Sequence, residues 1–264
     1  MPDYALPSAI ICLPFVVSVM VLLLRGLGRR QNLSAWLMTS TGLLVLLLSA
    51  YLYPAIADGG VVRQVIPWVP GLGLDLVLRI DGFGWLFMLL ISGIGALVGV
   101  YARYYMSPDD PLARFFALLL AFMGSMLGIV MSGNVIQLVF FWELTSLFSF
   151  LLIGYWYNGA SARDGARMAL IVTSGGGLCL FGGVLLLGHI IGSYDLEAIL
   201  AAGDVVRAHP WYVPTLILIL LGAFTKSAQF PFHFWLPQAM SAPTPASAYL
   251  HSATMVKAGV FLLV

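Results

Sequence analysis

Long apolar runs separated by short polar stretches dominate the chain. An apolar run of about 20 residues is the length a helix needs to cross a bilayer. On that reading, membrane spans fall at about 5–24, 33–53, 83–102, 113–131, 135–155 and 168–191. A seventh starts near Trp211, breaks around Phe230 and Pro231, and resumes to about Met240. After a turn over 242–245, an eighth starts near Ala246 and is cut off at Val264. The chain stops inside an apolar run, so we expect a fragment of a longer protein. The pattern predicts an all-α polytopic membrane protein with about eight transmembrane helices, the seventh broken and the eighth truncated.

One region departs from this pattern. Leu72, Leu74, Leu76, Leu78 and Ile80 alternate with Gly73, Asp75, Val77 and Arg79. Period two predicts a strand. Val61 to Trp68 is its expected partner, with Pro70 and Gly71 at the turn. The expectation is a small external β-hairpin over 61–81, a clamp or cover over helix ends. The sixth span is rich in glycine (Gly175, Gly176, Gly177, Gly182, Gly183), which suits close helix approach in lipid; a flexible hinge is the alternative.

Charge gives an orientation. The loops proposed as inside carry Arg25, Arg29, Arg30, Arg103, Arg114, Arg163 and Arg167; those proposed as outside carry Arg63, Arg79 and Arg207. An excess of arginine marks the cytoplasmic side, which puts the N-terminus outside. The chain is 61% hydrophobic and 9% charged, with mean hydropathy +1.00, far from soluble composition. Its net charge of +1 suggests no nucleic-acid partner. Cys12 and Cys179 form no paired motif, so an iron–sulfur cluster, zinc finger or disulfide framework is not expected. No basic segment precedes the first span, unlike a secretory signal. No phosphate-binding glycine loop or metal-ligand spacing is present.

The polar chemistry is concentrated from Thr225 to Gly259. Both lysines of the chain, Lys226 and Lys257, lie there, with His233, His251, Pro231, Pro237, Pro243 and Pro245. A lysine at membrane depth is costly and usually faces a polar pathway. Proline breaks the helix, and charges beside a broken helix at the midplane are the pattern of an ion-transport site. Glu143 is the acidic residue well inside an apolar span, in QLVFFWELTSLFSFLLIGYW. It is the expected partner of Lys226, in contact with it, so that proton residence on the amine depends on how near the carboxylate stands. The alternatives are a hydrogen-bonded packing glutamate and a lysine that snorkels to the interface. Gln229 and His233 would share a face with Lys226 on an unbroken helix. His251 and Lys257, on the eighth span, complete a possible relay. Thr225, Ser227, Ser252 and Thr254 could hold water there, or back-bond their own helices. His189 and His209 look incidental.

FFWELTSLFSFLLIGYW and GAFTKSAQFPFHFWLPQAMSAPTPASAYLHSATMVKAGVFLLV resemble the proton-translocating antiporter-like family. That family includes the A subunits of Mrp-type multisubunit sodium/proton antiporters and the large antiporter-like subunits of respiratory complex I. SAYLHSATMVKAG, with its lysine after MV, is closer to the Mrp type. The resemblance implies the first half of an inverted-repeat fold: helices 1–3 with the hairpin in 1–110, and helices 4–8 of the first repeat, truncated, in 111–264. It implies proton translocation through Glu143, Lys226, His251 and Lys257, with Gln229 and His233 as possible relays and Pro231 at the helix break. It also implies a secondary transporter subunit in a bacterial inner membrane, not an enzyme, with no cofactor. The expected partners are other antiporter subunits, one of them homologous, with protons and Na+ as the transported ions. The alternative is a non-redox subunit of a complex I-type NADH:quinone oxidoreductase. A third reading is a scaffold for lateral helix packing.

Overall fold

The computed structural model describes residues 5–24, 31–69 and 74–264. Arg25, Arg29, Arg30 and the Pro70–Gly71 turn lie outside the described residues. The long helices are α1 (Leu6–Leu23), α2 (Gln31–Tyr51), and, after a single turn α3 (Tyr53–Ile56) and a β-hairpin, α4 (Gly82–Tyr105), α5 (Leu112–Val130), α6 (Val135–Ile153) and α7 (Ala160–Ile191). Short helices α8 (Leu196–Ala201) and α9 (Gly203–Ala208) lead to α10 (Tyr212–Lys226). The chain then passes through α11 (Trp235–Ala239), α12 (Thr244–Ser247), a π-helical turn (Ala248–Thr254) and α13 (Met255–Leu263).

Among the described residues, six helices are long and apolar enough to cross a membrane, and α10, at 15 residues, is shorter. The count is therefore six to seven apolar spans, against the eight expected. The region expected to form the eighth span is divided instead between a one-turn helix, a π-helical turn and nine residues of α13. The sixth span also starts earlier than expected. Helix α7 begins at Ala160, so Arg163, Asp164 and Arg167 lie in its first turns and not in a loop.

Helix α5 is the centre of the bundle, buried along nearly its whole length. Helices α1, α2, α4 and α6 pack around it, and α7 lies against both α6 and α10. Apolar burial of this kind does not drive association inside lipid as it does in water; close packing and interhelical hydrogen bonds do. The α7 glycines serve that packing. A Cβ on Gly176 would overlap Thr225, and one on Gly177 would overlap Glu143. Helix α7 runs unbroken through both, with no hinge.

The hairpin forms as expected. β1 (Val62–Val69) pairs antiparallel with β2 (Leu74–Ile80), with a bulge between Ile66 and Val69. It packs on the turn between α5 and α6: Arg79 N donates to Met131 O (2.8 Å) and Gly133 N to Val77 O (2.8 Å), and the same turn accepts from the start of α8, Leu196 N to Gly133 O (2.8 Å). Gln137 Oε1 accepts from Val77 N at 3.0 Å. Arg63 pairs with Asp195 and Glu197, and Arg79 with Asp81. Strict alternation fails at one place: Val77 is buried beside Leu78, because it packs on Gly133.

Candidate functional site

Helix α6 starts cleanly: the Asn134 side chain accepts from Ile136 N (2.9 Å) and Gln137 N (3.4 Å), a standard N-cap. Within this apolar helix, Glu143, Thr145, Ser146 and Ser149 make a polar patch two turns long, and the last three are buried. Glu143 is held between α6 and α7. Its Oε1 lies against Gly177 and is buried without a hydrogen-bond partner.

Lys226 is the last residue of α10 and is 0% exposed. Its Nζ donates to Trp142 O at 2.9 Å and to Ser146 Oγ at 2.8 Å, both on α6. It also lies 5.2 Å from the centroid of the Trp142 ring. Ser146 is three residues from Glu143, one turn along the same face. The amine therefore bonds residues of α6 on either side of Glu143. The expected direct contact is absent: no ion pair joins Glu143 and Lys226 among the described residues. The lysine is satisfied by a backbone carbonyl and a hydroxyl instead. The Trp142 carbonyl is shared further, accepting from Thr145 Oγ1 at 2.7 Å and Ser146 Oγ at 3.4 Å.

The helix break sits just after the lysine, upstream of the expected Phe230–Pro231. Helix α10 ends at Lys226, Ala228 takes a left-handed conformation (φ 50°), and the Phe230–Pro231 peptide is cis. Backbone carbonyls freed at a break inside lipid need partners, and those of Ala223, Phe224 and Thr225 have them. Ser227 N donates to Ala223 O (2.9 Å) and Gln229 N to Phe224 O (2.9 Å). Trp235 Nε1 donates to Thr225 O at 2.9 Å. Ser227 Oγ reaches Val256 O on α13 at 2.7 Å. Of the four hydroxyls weighed as water holders, Thr225, Ser252 and Thr254 bond carbonyls of the preceding turn, and Ser227 bonds α13.

Because the helix stops at Lys226, Gln229 and His233 do not share its face; both are exposed. His251 lies on the π-helical turn, half-buried, with both ring nitrogens buried and without partners. Its ring is 6.1 Å from that of Trp235, centroid to centroid. Trp235 thus stands between the broken end of α10 and the histidine. Lys257 is on an exposed face of α13. The structure gathers Glu143 and Lys226, brings His251 near through Trp235, and leaves Gln229, His233 and Lys257 at the surface of this chain.

Sequence reasoning missed Ser146, the Trp142 carbonyl and Trp235. Only Ser146 carried a signal, its one-turn spacing from Glu143. His189 is exposed, and the His209 ring accepts from Trp211 N at 3.2 Å, a local turn contact.

A family model described as "NADH:quinone oxidoreductase/Mrp antiporter, TM" matches residues 132–264. The chain belongs to that family. A second model, "NADH-Ubiquinone oxidoreductase (complex I), chain 5 N-terminus", matches residues 66–116. The chain is 60% identical to the A/B subunit of a probable K(+)/H(+) antiporter from Rhizobium meliloti (strain 1021), over 99% of this chain and 26% of that protein. It is 45% identical to the A subunit of the Na(+)/H(+) antiporter from Alkalihalophilus pseudofirmus, over 95% of this chain and 31% of that one. In the solved Mrp complex from Dietzia sp. DQ12-45-1b, a matching chain superposes with TM-score 0.86 at 36% identity, covering 97% of this chain and 27% of that one. A chain of the archaeal membrane-bound sulfane sulfur reductase shares the fold, with TM-score 0.84 at 23% identity. The chain spans about a quarter to a third of the length of the curated relatives it matches.

Proposed function

We propose that this chain is the proton-transfer region at the N-terminal side of the A subunit in an Mrp-type multisubunit monovalent cation/proton antiporter. The observation that carries the reading is a wholly buried lysine at the end of a broken helix, bonded to Ser146 one turn from Glu143, a half-buried glutamate with one buried, unpartnered oxygen. Glu143 and Lys226 form the central pair, and Ser146 and the Trp142 carbonyl hold the amine between transfers. A proton moves when the amine exchanges its α6 acceptors for the carboxylate or for water beside it. His251 takes the next step, supported by its two buried, unpartnered ring nitrogens. Parts for Lys257, Gln229 and His233 depend on what covers their exposed faces in the assembled complex.

The same proposal reads 1–110 as the leading helices with the hairpin and 111–264 as the first part of an inverted-repeat antiporter unit. The ends of α4, α5 and α7 that carry Arg103, Arg114, Arg163 and Arg167 face the cytoplasm, which puts the N-terminus outside, in a bacterial inner membrane. Protons move inward down the proton-motive force; one charge crossing 100 mV is worth about 2.3 kcal/mol.

Na+ is the exchanged ion in the first reading. K+ is the second, favoured by the relative at 60% identity, which is named for K(+)/H(+) exchange. A place in a redox complex is less well supported, since the relatives at 44–60% identity are named as antiporter subunits. The test replaces Glu143→Gln or Lys226→Ala in the full-length protein within its complex, and follows cation-driven pH change in everted vesicles. Both replacements abolish exchange with either ion. Normal exchange in both variants would overturn the proposal, and exchange with only one ion in the unaltered complex chooses between Na+ and K+.

A further inference from the structure

At the end of the bundle where α4 stops and α5 and α7 begin, Arg114, Arg163 and Arg167 line one cavity of about 250 Å³. Its other walls include Phe150, Leu151 and Tyr157. Arg163 Nη1 donates to the carbonyls of Tyr157 (2.9 Å) and Asn158 (3.1 Å). Those bonds fix the guanidinium, and its remaining N–H groups have no hydrogen-bond partner among the described residues. The Arg114 guanidinium lies 5.8 Å from the centroid of the Tyr157 ring. Arg167 has one carboxylate neighbour, Asp164, at 3.9 Å, with the two side chains 68% and 71% exposed; such a pair contributes little. Three positive charges therefore converge, with Asp164 loosely beside Arg167 and with Asp110 held outside the cavity by Trp156 Nε1 at 3.2 Å.

An apolar track leads away from these charges into the membrane. Leu147, one turn before Leu151, is 45% exposed, and Ile171, one turn after Arg167, is 70% exposed. A soluble anion would use the arginines and leave the track bare. A phospholipid uses both: guanidinium N–H groups match phosphate oxygens in paired geometry, and an acyl chain covers the leucines and the isoleucine.

We infer that this cavity binds the phosphate headgroup of an anionic phospholipid, with one acyl chain laid along Leu151, Leu147 and Ile171 between α6 and α7. The inference stands apart from the proton-transfer proposal and uses none of its relay residues. Basic residues at a membrane surface each contribute about fivefold in affinity for anionic lipid, so three contribute roughly a hundredfold.

The test is native mass spectrometry of the full-length complex in detergent, titrated with phosphatidylglycerol and, separately, with phosphatidylcholine. The unaltered complex holds phosphatidylglycerol in preference. R114Q/R163Q/R167Q together weaken that binding roughly a hundredfold, and R167Q alone about fivefold, while phosphatidylcholine binding stays unchanged. R103Q, which alters an arginine stacked on Trp36 at the same end of the bundle, leaves both lipids unaffected. If the triple variant fails to fold, R167Q, at an exposed position, decides. Unchanged phosphatidylglycerol binding in R167Q and in a folded triple variant overturns the inference. So does an equal loss for both lipids, or displacement of the bound lipid by millimolar inorganic phosphate, which would make this a site for the free ion. Retained lipid with loss of a neighbouring protein of the complex would assign the arginines to a protein partner and overturn it too.

Discussion

Ser146→Ala isolates the hydroxyl that holds the buried amine. In the structure Lys226 Nζ has two acceptors, Trp142 O at 2.9 Å and Ser146 Oγ at 2.8 Å, and no solvent contact. The substitution removes one of them and adds no bulk. A hydrogen bond to a charged group contributes about 1.5–3 kcal/mol, and nothing at 0% exposure replaces it. If each turnover takes the amine through its charged state in this position, the loss enters the barrier directly. Each 1.4 kcal/mol is about tenfold in rate, so antiport slows roughly ten- to a hundredfold. Ser149→Ala is the matched control. It lies one turn further on, is 1% exposed, and its hydroxyl bonds Ser146 O at 2.9 Å without touching the lysine. It changes the rate less than about threefold, since its loss is one back-bonded hydroxyl. The assay is cation-driven dequenching of a pH dye in everted vesicles, with the complex amounts matched by blotting. Equal slowing by the two alanines, or none by Ser146→Ala, would refute the reasoning.

Other outcomes follow from the same geometry. Glu143→Gln keeps the volume and removes the charge: exchange is lost, while the complex assembles at normal abundance by native gel. Gly177→Ala places a methyl where Glu143 Oε1 now sits and so moves the carboxylate without altering any charge; we expect at least a tenfold loss of exchange, whereas Gly175→Ala, with open space around it, stays near the unaltered rate. Arg63→Ala releases the ion pairs to Asp195 and Glu197; exposed pairs contribute at most about 1 kcal/mol each. The signature is faster amide hydrogen exchange in β1 and β2, with antiport little changed.

The spans, the hairpin and the isolated polar residues could be read from the chain because each is a local property. A helix in lipid needs an unbroken apolar run, a strand on a surface needs period two, and a charge in an apolar run stands out wherever it points. Glu143, Lys226, His251 and the broken helix near Pro231 were legible for that reason, as was the family from its long motifs. Helix ends were less so: Arg163 and Arg167 read as loop residues because the spacing of charges does not say whether the backbone under them is coiled. Only the packing of α10 against α6 and α7 decided that Lys226 bonds a carbonyl and a serine rather than the glutamate. That choice turns on where one helix stops relative to two others, and a left-handed turn at Ala228 sets the stopping point. The same three-dimensional facts sent Gln229, His233 and Lys257 to exposed faces and gathered three arginines from two helices around one cavity. Sequence names the ionisable groups, because composition in oil is so restrictive. Which of them meet is fixed by packing between segments far apart in the chain, and spacing along one strand of sequence carries no measure of that.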